Sequence, residues 1–240
     1  MDYALKQQAL NLGVKIIYDK NISFPVQIDS SGAKKAAAFA YGITFDTDAA
    51  DIVSAIVDDR LAPKGYAYFI ALNGRATLVS AFFAKPFKDP KKYYLETLSR
   101  YKNLLDFKID NPREFAKYIS FSLAKQRDAV IVGEAAGIQD YLFGFGMRLA
   151  VKSAELAAIS IMEDKSYHRL YRAHILPFLR AGLVNRFIFE RLGNNGYKRQ
   201  LKKANTVPDV RKFLGRSYHF SPAHRLFYPI ARLKYRGLWD

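Results

Sequence analysis

A glycine-rich stretch at residues 127–147 holds the residues of this chain that could bind a cofactor. Its sequence, RDAVIVGEAAGIQDYLFGFGM, opens with a strand-like run that breaks into GEAAG at Gly133–Gly137. A second cluster, GFGM at Gly144–Met147, comes directly before a helical pattern. Glycine tolerates positive φ and lets a ligand or another backbone come close. The stretch therefore indicates either a site for a flat or phosphorylated cofactor, or a tight turn with a close helix–sheet contact.

The composition excludes several other kinds of chemistry. The 240 residues include no cysteine, which excludes disulfides, thiolate metal sites, iron–sulfur ligation and a redox-active cysteine pair. None of the four histidines lies in an H-E-x-x-H or H-x-x-E-H pattern, so we predict no metal site. No acid, base or nucleophile stands out, and the catalytic residues stay unassigned. The histidines are His168, His174, His219 and His224.

The net charge of +16 is concentrated in the last part of the chain. Residues 148–240 contain 19 Lys and Arg and 6 Asp and Glu, a net charge of +13. A basic region favours an anionic partner, either a membrane surface or nucleic acid, and a solvated basic face is the alternative. No helix-turn-helix, zinc-finger or RNA-recognition pattern is present, so nucleic acid is the less favoured partner. We expect four arginines to share one basic patch: Arg169, Arg172, Arg180 and Arg186.

The hydropathy of the chain and its first residues predict where in the cell the protein is located. No segment reaches the 18 or so apolar residues of a membrane-spanning helix. The opening sequence, MDYALKQQALNLG, lacks the charged-then-apolar pattern of a signal peptide. These features predict a cytoplasmic location, with peripheral attachment to a membrane through the basic region.

The spacing of apolar residues predicts the elements that position the glycine-rich stretch. Strands are predicted at residues 14–18, 26–29, 66–72, 76–83, 118–123 and 130–132. Helices are predicted at 3–12, 90–105, 147–162, 168–192, 197–203, 209–214 and 222–239, with breaks at Pro177 and Gly193. Asn73-Gly74 lies between two strand-type runs and predicts a hairpin. We therefore expect an antiparallel sheet over residues 35–83, joined by the strand near 118–123.

The glycine-rich stretch also carries a resemblance to a known family. VGEAAGIQDYLFGFGMRLAVKSAELAA resembles the second flavin-contact motif of the geranylgeranyl reductase-like FAD-dependent oxidoreductases, which are related to the aromatic hydroxylases. That motif is roughly V-G-D-A-A-G, a few residues, G-x-G-M/I, and a helix with small residues. The helical tail VNRFIFERLGNNGY is similar to the C-terminal region of the same group.

The first half of the chain resembles this family more weakly. VQIDSSGAKKAAAFAYG is similar to the strand and A-T-G turn that close the FAD-binding domain, with Ser31-Gly32 in the T-G place. GYAYFIAL is similar to the strand that carries Y-x-W-x-F-P in prenyl reductases. Tyr66 matches that signature, but Tyr68, Ile70 and Ala71 replace W, F and P. This departure from the signature disfavours a polyprenyl substrate.

One expected motif is missing from the sequence. Flavoproteins of this kind begin with a strand and G-x-G-x-x-G, whose helix start binds the FAD pyrophosphate, and this chain has no such motif. We therefore expect an N-terminally truncated chain, with the missing element in an absent segment or a partner chain. On its own the 240-residue chain is expected to bind FAD weakly or not at all.

The resemblance implies an α+β / α/β fold. It comprises the remnant of an FAD-binding Rossmann-like layer, an antiparallel substrate-side sheet and a helical C-terminal subdomain. Residues 1–34 with 124–165 are assigned to the partial FAD-binding domain, 35–123 to the substrate domain and 166–240 to the basic helical subdomain. The strand at Val130–Val132 is expected to lie beside residues 14–18 and 26–28 rather than in the hairpin sheet.

The motif also assigns roles to individual residues. Glu134 can accept hydrogen bonds from ribityl or ribose hydroxyls; capping of the next turn or pairing with Arg148 is the alternative. N–H groups at the start of the next helix face negative charge favourably, as on a reduced flavin. Tyr66 and Tyr68 lie on the same side of one strand and are predicted to contact substrate, with plain packing as the alternative. The predicted cofactor-binding residues are Gly133, Glu134, Ala135, Gly137, Gly144, Phe145, Gly146 and Met147.

The resemblance implies an FAD-dependent oxidoreductase that reduces a hydrophobic, isoprenoid or lipid-like substrate. In such an enzyme the flavin transfers hydride or electrons and the protein orients the substrate. The alternatives are a non-catalytic remnant and a basic binding module that contacts anionic membrane or nucleic acid.

Overall fold

The helices and strands follow one another in a mixed order. The computed structural model describes residues 2–22, 24–32, 36–85, 87–121 and 129–238. The α-helices of this part are α1 (Asp2–Asn11), α2 (Pro90–Lys102), α3 (Met147–Met162), α4 (Tyr167–His174), α5 (Leu176–Asn205), α6 (Val210–Ser217) and α7 (Pro222–Lys234). The strands are β1 (Ile28–Asp29), β2 (Ala38–Asp46), β3 (Ile52–Ile56), β4 (Tyr66–Leu72), β5 (Arg75–Phe82), β6 (Asp110–Ile119) and β7 (Val130–Ile131). Short 3₁₀ turns occur at Gly133–Ala136 and Arg236–Leu238.

Strands β2 to β6 form an antiparallel sheet in the order β3-β4-β5-β2-β6. Asn73 and Gly74 join β4 to β5 with φ of 51° and 75°, the left-handed conformation that a two-residue hairpin turn requires. The predicted hairpin is confirmed. The strand predicted at 118–123 is misplaced, because β6 runs from Asp110 to Ile119 and residues 122–123 lie outside the described part. β6 is an exposed edge strand, so burial does not impose the apolar alternation that would reveal it.

Helix α2 covers one face of this sheet. Phe69 lies between Phe107 and Tyr101, with ring centroids 4.8 Å and 5.6 Å away, and together they form the centre of that layer. The buried hydroxyls of Ser80 on β5 and Thr97 on α2 are hydrogen-bonded at 2.8 Å. Because residues alternate along a strand, Tyr66 and Tyr68 lie on the opposite face, which is only partly covered.

A second, parallel sheet carries the glycine-rich stretch. β1 pairs with β7, with Ile28 opposite Val130 and Asp29 opposite Ile131. This confirms the prediction that the strand at 130–132 lies beside residues 26–28 and not in the hairpin sheet. The strand predicted at 14–18 is wrong: these residues pair with no strand in the described part of the chain, and Val14, Ile17 and Tyr18 are exposed. Without a neighbouring strand to receive its backbone hydrogen bonds, an apolar run does not form a strand.

Helices α3, α4, α5 and α7 pack around one apolar core that includes Leu156, Leu179 and Leu183. The predicted break at Pro177 corresponds to the start of α5, where proline fits the first turn. The predicted stop at Gly193 is confirmed: Gly193 is non-helical, with φ of 58°, and divides α5 into two helical segments that meet at a kink. The kink lies beside Asn194, whose side chain accepts a hydrogen bond from the Asp59 backbone N–H and donates one to Asp58, both in the loop after β3. Within the described ranges, no helix is long and apolar enough to cross a bilayer.

The buried hydroxyl pair gives a test of how α2 is held on the sheet. Thr97→Val should lower the free energy of unfolding by about 1–3 kcal/mol, because it leaves the Ser80 hydroxyl without this partner in the core. The double variant Ser80→Ala/Thr97→Val should lose less than the two single variants combined. Urea unfolding followed by circular dichroism measures all three. Strictly additive losses would contradict a direct hydroxyl–hydroxyl contact.

Candidate functional site

The turn that follows β7 packs tightly against α3. Gly133 and Gly137 both have positive φ, 59° and 66°, as the 3₁₀ turn between them requires. The Gly133 N–H donates to the Ser153 hydroxyl at 2.9 Å, and a Cβ at Gly133 would lie 3.5 Å from the Cβ of Ala150. These contacts account for Gly133 as a point of close helix–sheet approach. Its role as a cofactor contact stays a prediction.

The two other predicted residues of this turn differ in exposure. Ala135 is buried in the core, and Glu134 is partly exposed. No ion pair joins Glu134 to Arg148 among the described residues. The Arg148 guanidinium lies instead over the Phe178 ring, 4.9 Å from its centroid. The Glu134 carboxylate is therefore not engaged by the arginine that the sequence suggested as its alternative partner.

Asp140 organises the loop between the two glycine clusters. Its carboxylate accepts hydrogen bonds from the backbone N–H groups of Leu142 and Phe143, at 3.0 Å and 3.2 Å, and from the Tyr218 hydroxyl at 2.8 Å. The Gly144 N–H donates to the Asp140 carbonyl at 2.8 Å. Burial raises the pKa of Asp140, and the hydrogen bonds oppose that rise. The sequence reasoning missed this residue, although an acid in the apolar run IQDYL was a signal for it.

This loop leads directly into the start of α3, which no side chain caps. Helix α3 begins at Met147 after Gly146, and no side chain caps its first N–H groups. Phe145 is 64% exposed and Met147 is 72% exposed, so both side chains are available for contact. The helix dipole favours negative charge at this end. Gly144, Phe145, Gly146 and Met147 therefore lie together at this helix start, and their role as cofactor contacts stays a prediction.

This helix start opens on a cleft of about 840 Å³. Residues 144–149 form one wall, and Phe178, Tyr218 and His219 contribute to the other. The rings of Phe178 and Tyr218 are stacked with centroids 4.5 Å apart and planes 5° from parallel. The cleft is thus largely apolar, with Asp140 as its buried acid, and its size suits a small-molecule ligand.

Aromatic side chains connect the cleft with the partly open face of the five-stranded sheet. The rings of Tyr66 and Tyr68 are stacked at 5.9 Å, and Tyr66 lies 6.1 Å from Phe145 between ring centroids. The Tyr66 hydroxyl donates to the Phe143 carbonyl at 2.8 Å. Burial raises the pKa values of both tyrosines. Of the two residues predicted to contact substrate, Tyr66 lies beside Phe145, which lines the cleft, and Tyr68 lies beside Tyr66.

A buried arginine joins three parts of the chain at this place. Arg186 of α5 donates through Nη1 to the Leu142 carbonyl at 2.8 Å and through Nη2 to the Lys64 carbonyl. Its Nε donates to Glu190 at 3.0 Å, and the guanidinium lies 3.9 Å from the centroid of the Phe83 ring. A planar group with several donors can satisfy all these acceptors together.

The burial of Arg186 corrects the predicted basic patch. Arg169 and Arg172 are exposed on α4, and Arg180 is partly buried over the Tyr228 ring at 5.4 Å. Arg186 is almost completely buried and belongs to no surface. Sequence periodicity did not distinguish it from the exposed arginines, because its acceptors are carbonyls distant in sequence.

Glu190 extends the network around Arg186 to the last helix. Lys234 of α7 donates to Glu190 Oε2 at 2.8 Å while Arg186 donates to Oε1. Burial alone would raise the pKa of Glu190, but the hydrogen bond from Lys234 and the charge and hydrogen bond of Arg186 lower it overall. One carboxylate thereby holds α7 against α5.

Comparisons with known proteins extend these observations. No family model matches the sequence, and no curated protein matches it. The structure is similar to a geranylgeranyl bacteriochlorophyll reductase-like protein from Thermoplasma acidophilum, with a TM-score of 0.57 and 13% sequence identity over 84% of this chain and 55% of that protein. It is less similar to a tryptophan halogenase from Shewanella frigidimarina, with a TM-score of 0.42 and 16% identity over 85% of this chain and 47% of the halogenase.

The likeness to the reductase-like protein shows the fold. The chain has a mixed α/β fold with an antiparallel sheet, parallel strands and helices, and it shares this fold with the reductase-like protein. It spans about half the length of the solved structures that it matches. The predicted fold class is confirmed, whereas the domain boundaries and the cofactor contacts stay predictions.

The network around Arg186 predicts a large loss of stability on substitution. Arg186→Met should lower the free energy of unfolding by about 3 kcal/mol or more, because carbonyls of two distant loops and one side of Glu190 lose their donor. Arg186→Lys should recover little, since one ammonium cannot reach all three acceptors. Arg172→Met removes an exposed arginine and should change stability by less than about 0.5 kcal/mol. Guanidinium unfolding gives the comparison, and equal effects at both positions would contradict it.

The lowered pKa of Glu190 predicts part of the acid sensitivity of the protein. Its stabilising effect is present above the pKa of the unfolded chain and is lost as the pH falls through the lower folded pKa. Glu190→Gln should therefore reduce the loss of unfolding free energy between about pH 7 and about pH 3. Urea unfolding at the two pH values measures this difference, and an unchanged difference would contradict the assignment.

Proposed function

We propose that this chain supplies the flavin-ring side of an FAD-dependent oxidoreductase that reduces a hydrophobic substrate. The observation that carries the proposal is the uncapped start of α3, which presents Phe145 and Met147 to a largely apolar cleft of about 840 Å³. The fold shared with the reductase-like protein supports it.

The residues at the helix start fit one edge of a flavin. A reduced flavin carries negative charge near its N1 atom and C2 carbonyl, and the first N–H groups of α3 and its dipole favour that charge. Phe145 and Met147 would pack against the ring. When bound, the flavin supplies hydride or electron transfer. The chain's own residues orient the ring and exclude water from the cleft.

Gly144 and Gly146, which precede α3, are constrained by contacts and backbone conformation within their own loop. Gly144 has a φ of 79°, and a Cβ at Gly146 would lie 3.2 Å from Cγ of Gln139. Both positions therefore favour glycine for reasons internal to the loop, before any ligand is considered. Substitutions of Phe145 or Met147, which are exposed, are better probes of flavin contact than substitutions of the glycines.

The substrate side of the proposal rests on the partly open face of the antiparallel sheet. Tyr66 and Tyr68 are partly exposed on this face and pack against the buried residues Val79 and Ala81, so the aromatic rings form part of its exposed surface. Such a surface favours a hydrophobic substrate. An isoprenoid or lipid-like substrate is the finer proposal, and the name of the reductase-like protein from Thermoplasma acidophilum supports that class.

Flavin affinity is expected to come from the ring and not from the nucleotide half of FAD. The sequence has no G-x-G-x-x-G motif to receive a pyrophosphate, so the AMP half gains little. The purified chain should bind lumiflavin, FMN and FAD weakly, with dissociation constants within about tenfold of one another. Quenching of flavin fluorescence during titration with protein measures the three constants.

Variants separate binding in the cleft from binding elsewhere. Phe145→Ala and Met147→Ala should each weaken all three flavins, because each removes an exposed contact beside α3. Val53→Ala, at an equally exposed position on β3, is the matched control and should leave binding unchanged. If none of the flavins binds at millimolar concentration, the chain is the non-catalytic remnant instead. A stoichiometric FAD complex far tighter than that of FMN would show that the chain has a pyrophosphate site and would contradict the prediction.

A further inference from the structure

Helix α7 is fixed to the protein by one face only. Ala231 is fully buried, and Tyr228 packs against the core around α5. His224 Nε2 is hydrogen-bonded to the Asn185 side chain at 3.1 Å, and Lys234 pairs with Glu190. These contacts define an inward face and leave the opposite face of the helix towards solvent.

The outward face of α7 is apolar. At 3.6 residues per turn, Leu226, Ile230 and Leu233 lie together on the side opposite Ala231. They are 72%, 54% and 72% exposed. Pro222, Ala223 and Pro229 share this exposed side and add no polar group. A surface helix of a soluble domain normally directs polar residues outward, and single exposed leucines are common, but a continuous stripe indicates a partner.

The charged side chains of α7 itself are all positive. Arg225 and Arg232, seven residues apart, are exposed along one border of the stripe. Residues 210–239 contain seven Lys and Arg and no Asp or Glu. An apolar face bordered by cations is the arrangement of a helix that lies in the interface of an anionic bilayer.

We propose that α7 is an interfacial anchor for anionic membranes. Leu226, Ile230 and Leu233 enter the boundary between headgroups and acyl chains, and Arg225 and Arg232 contact lipid phosphates. The helix lies in the membrane plane, and the face that contacts α5 stays on the protein side. This inference stands independently of the proposed function. If both hold, the anchor brings the partly open sheet and the cleft to a source of hydrophobic substrate.

The same observations disfavour two other occupants. A second copy of this chain would place two regions with the same strong positive charge against each other, which opposes association. Nucleic acid would pair with the arginines but would leave the apolar stripe in water. A lipid surface satisfies both the stripe and the charges.

Co-sedimentation of the full chain with vesicles tests the proposal. The protein should pellet with vesicles of phosphatidylcholine mixed with phosphatidylglycerol and stay in solution with pure phosphatidylcholine. Leu226→Glu/Ile230→Glu should reduce binding by about tenfold or more, because charge replaces two inserted apolar side chains. Arg225→Gln/Arg232→Gln should reduce it by about 10- to 30-fold and weaken its salt dependence. Circular dichroism melting checks that each variant is folded.

A matched control variant and three contrary outcomes test whether α7 is a membrane anchor. Val53→Glu/Leu72→Glu makes the same charge change at exposed apolar positions of the antiparallel sheet and should leave vesicle binding unchanged. Equal pelleting with neutral and anionic vesicles would overturn the proposal. A dimer in sedimentation velocity that Leu226→Glu/Ile230→Glu dissociates, without vesicle binding by the wild type, would assign the stripe to a contact between copies. Binding to a DNA fragment but to no vesicle would assign the cations to nucleic acid and would equally overturn the lipid anchor.

Discussion

The buried guanidinium of Arg186 is the contact on which the arrangement of the candidate site depends. It joins the carbonyl of Lys64, in the loop before β4, to the carbonyl of Leu142, in the loop before α3, and both to Glu190 of α5. Taking a charge out of water is costly unless its donors are satisfied, so this arginine is stable here only while all these segments are in place. Through Lys234, the same network reaches α7. One cation therefore couples the antiparallel sheet, the glycine-rich loop and the helical region.

Around this contact the loop before α3 is organised by a second buried charge. Asp140 accepts two backbone hydrogen bonds from its own loop and one from Tyr218, whose ring stacks on Phe178 in the wall of the cleft. The loop is thus held from both sides, by Asp140 within and by Arg186 from α5. That rigidity leaves Phe145 and Met147 exposed beside an uncapped helix start, an arrangement that suits a flat, electron-rich ligand. The apolar stripe on α7 is exposed for a comparable reason, since the inward contacts of that helix are complete without it.

Much of the candidate site could be predicted from local sequence. The strand at Val130–Ile131, the glycines with positive φ and the helix from Met147 to Met162 are consequences of short-range geometry, and local patterns reveal them. Asp140 and Arg186 could not be assigned in this way. Their partners are distant in sequence: Tyr218 is 78 residues from Asp140, and Lys64 is 122 residues from Arg186. A charged residue in a helical pattern looks the same whether it faces water or buried carbonyls.

The sequence by itself determined most of the element types, the hairpin at Asn73-Gly74, the excess of positive charge and the resemblance of the glycine-rich stretch to a flavin-contact motif. These are properties of neighbouring residues or of composition. Only the tertiary structure decided that residues 14–18 are not a strand and that Arg186 is buried. It also decided that the outward face of α7 is apolar, because a hydrophobic pattern does not say which of its members the fold will cover. The burial of side chains and the pairing of strands and charged groups depend on contacts between distant segments, and a local sequence pattern does not reveal those contacts.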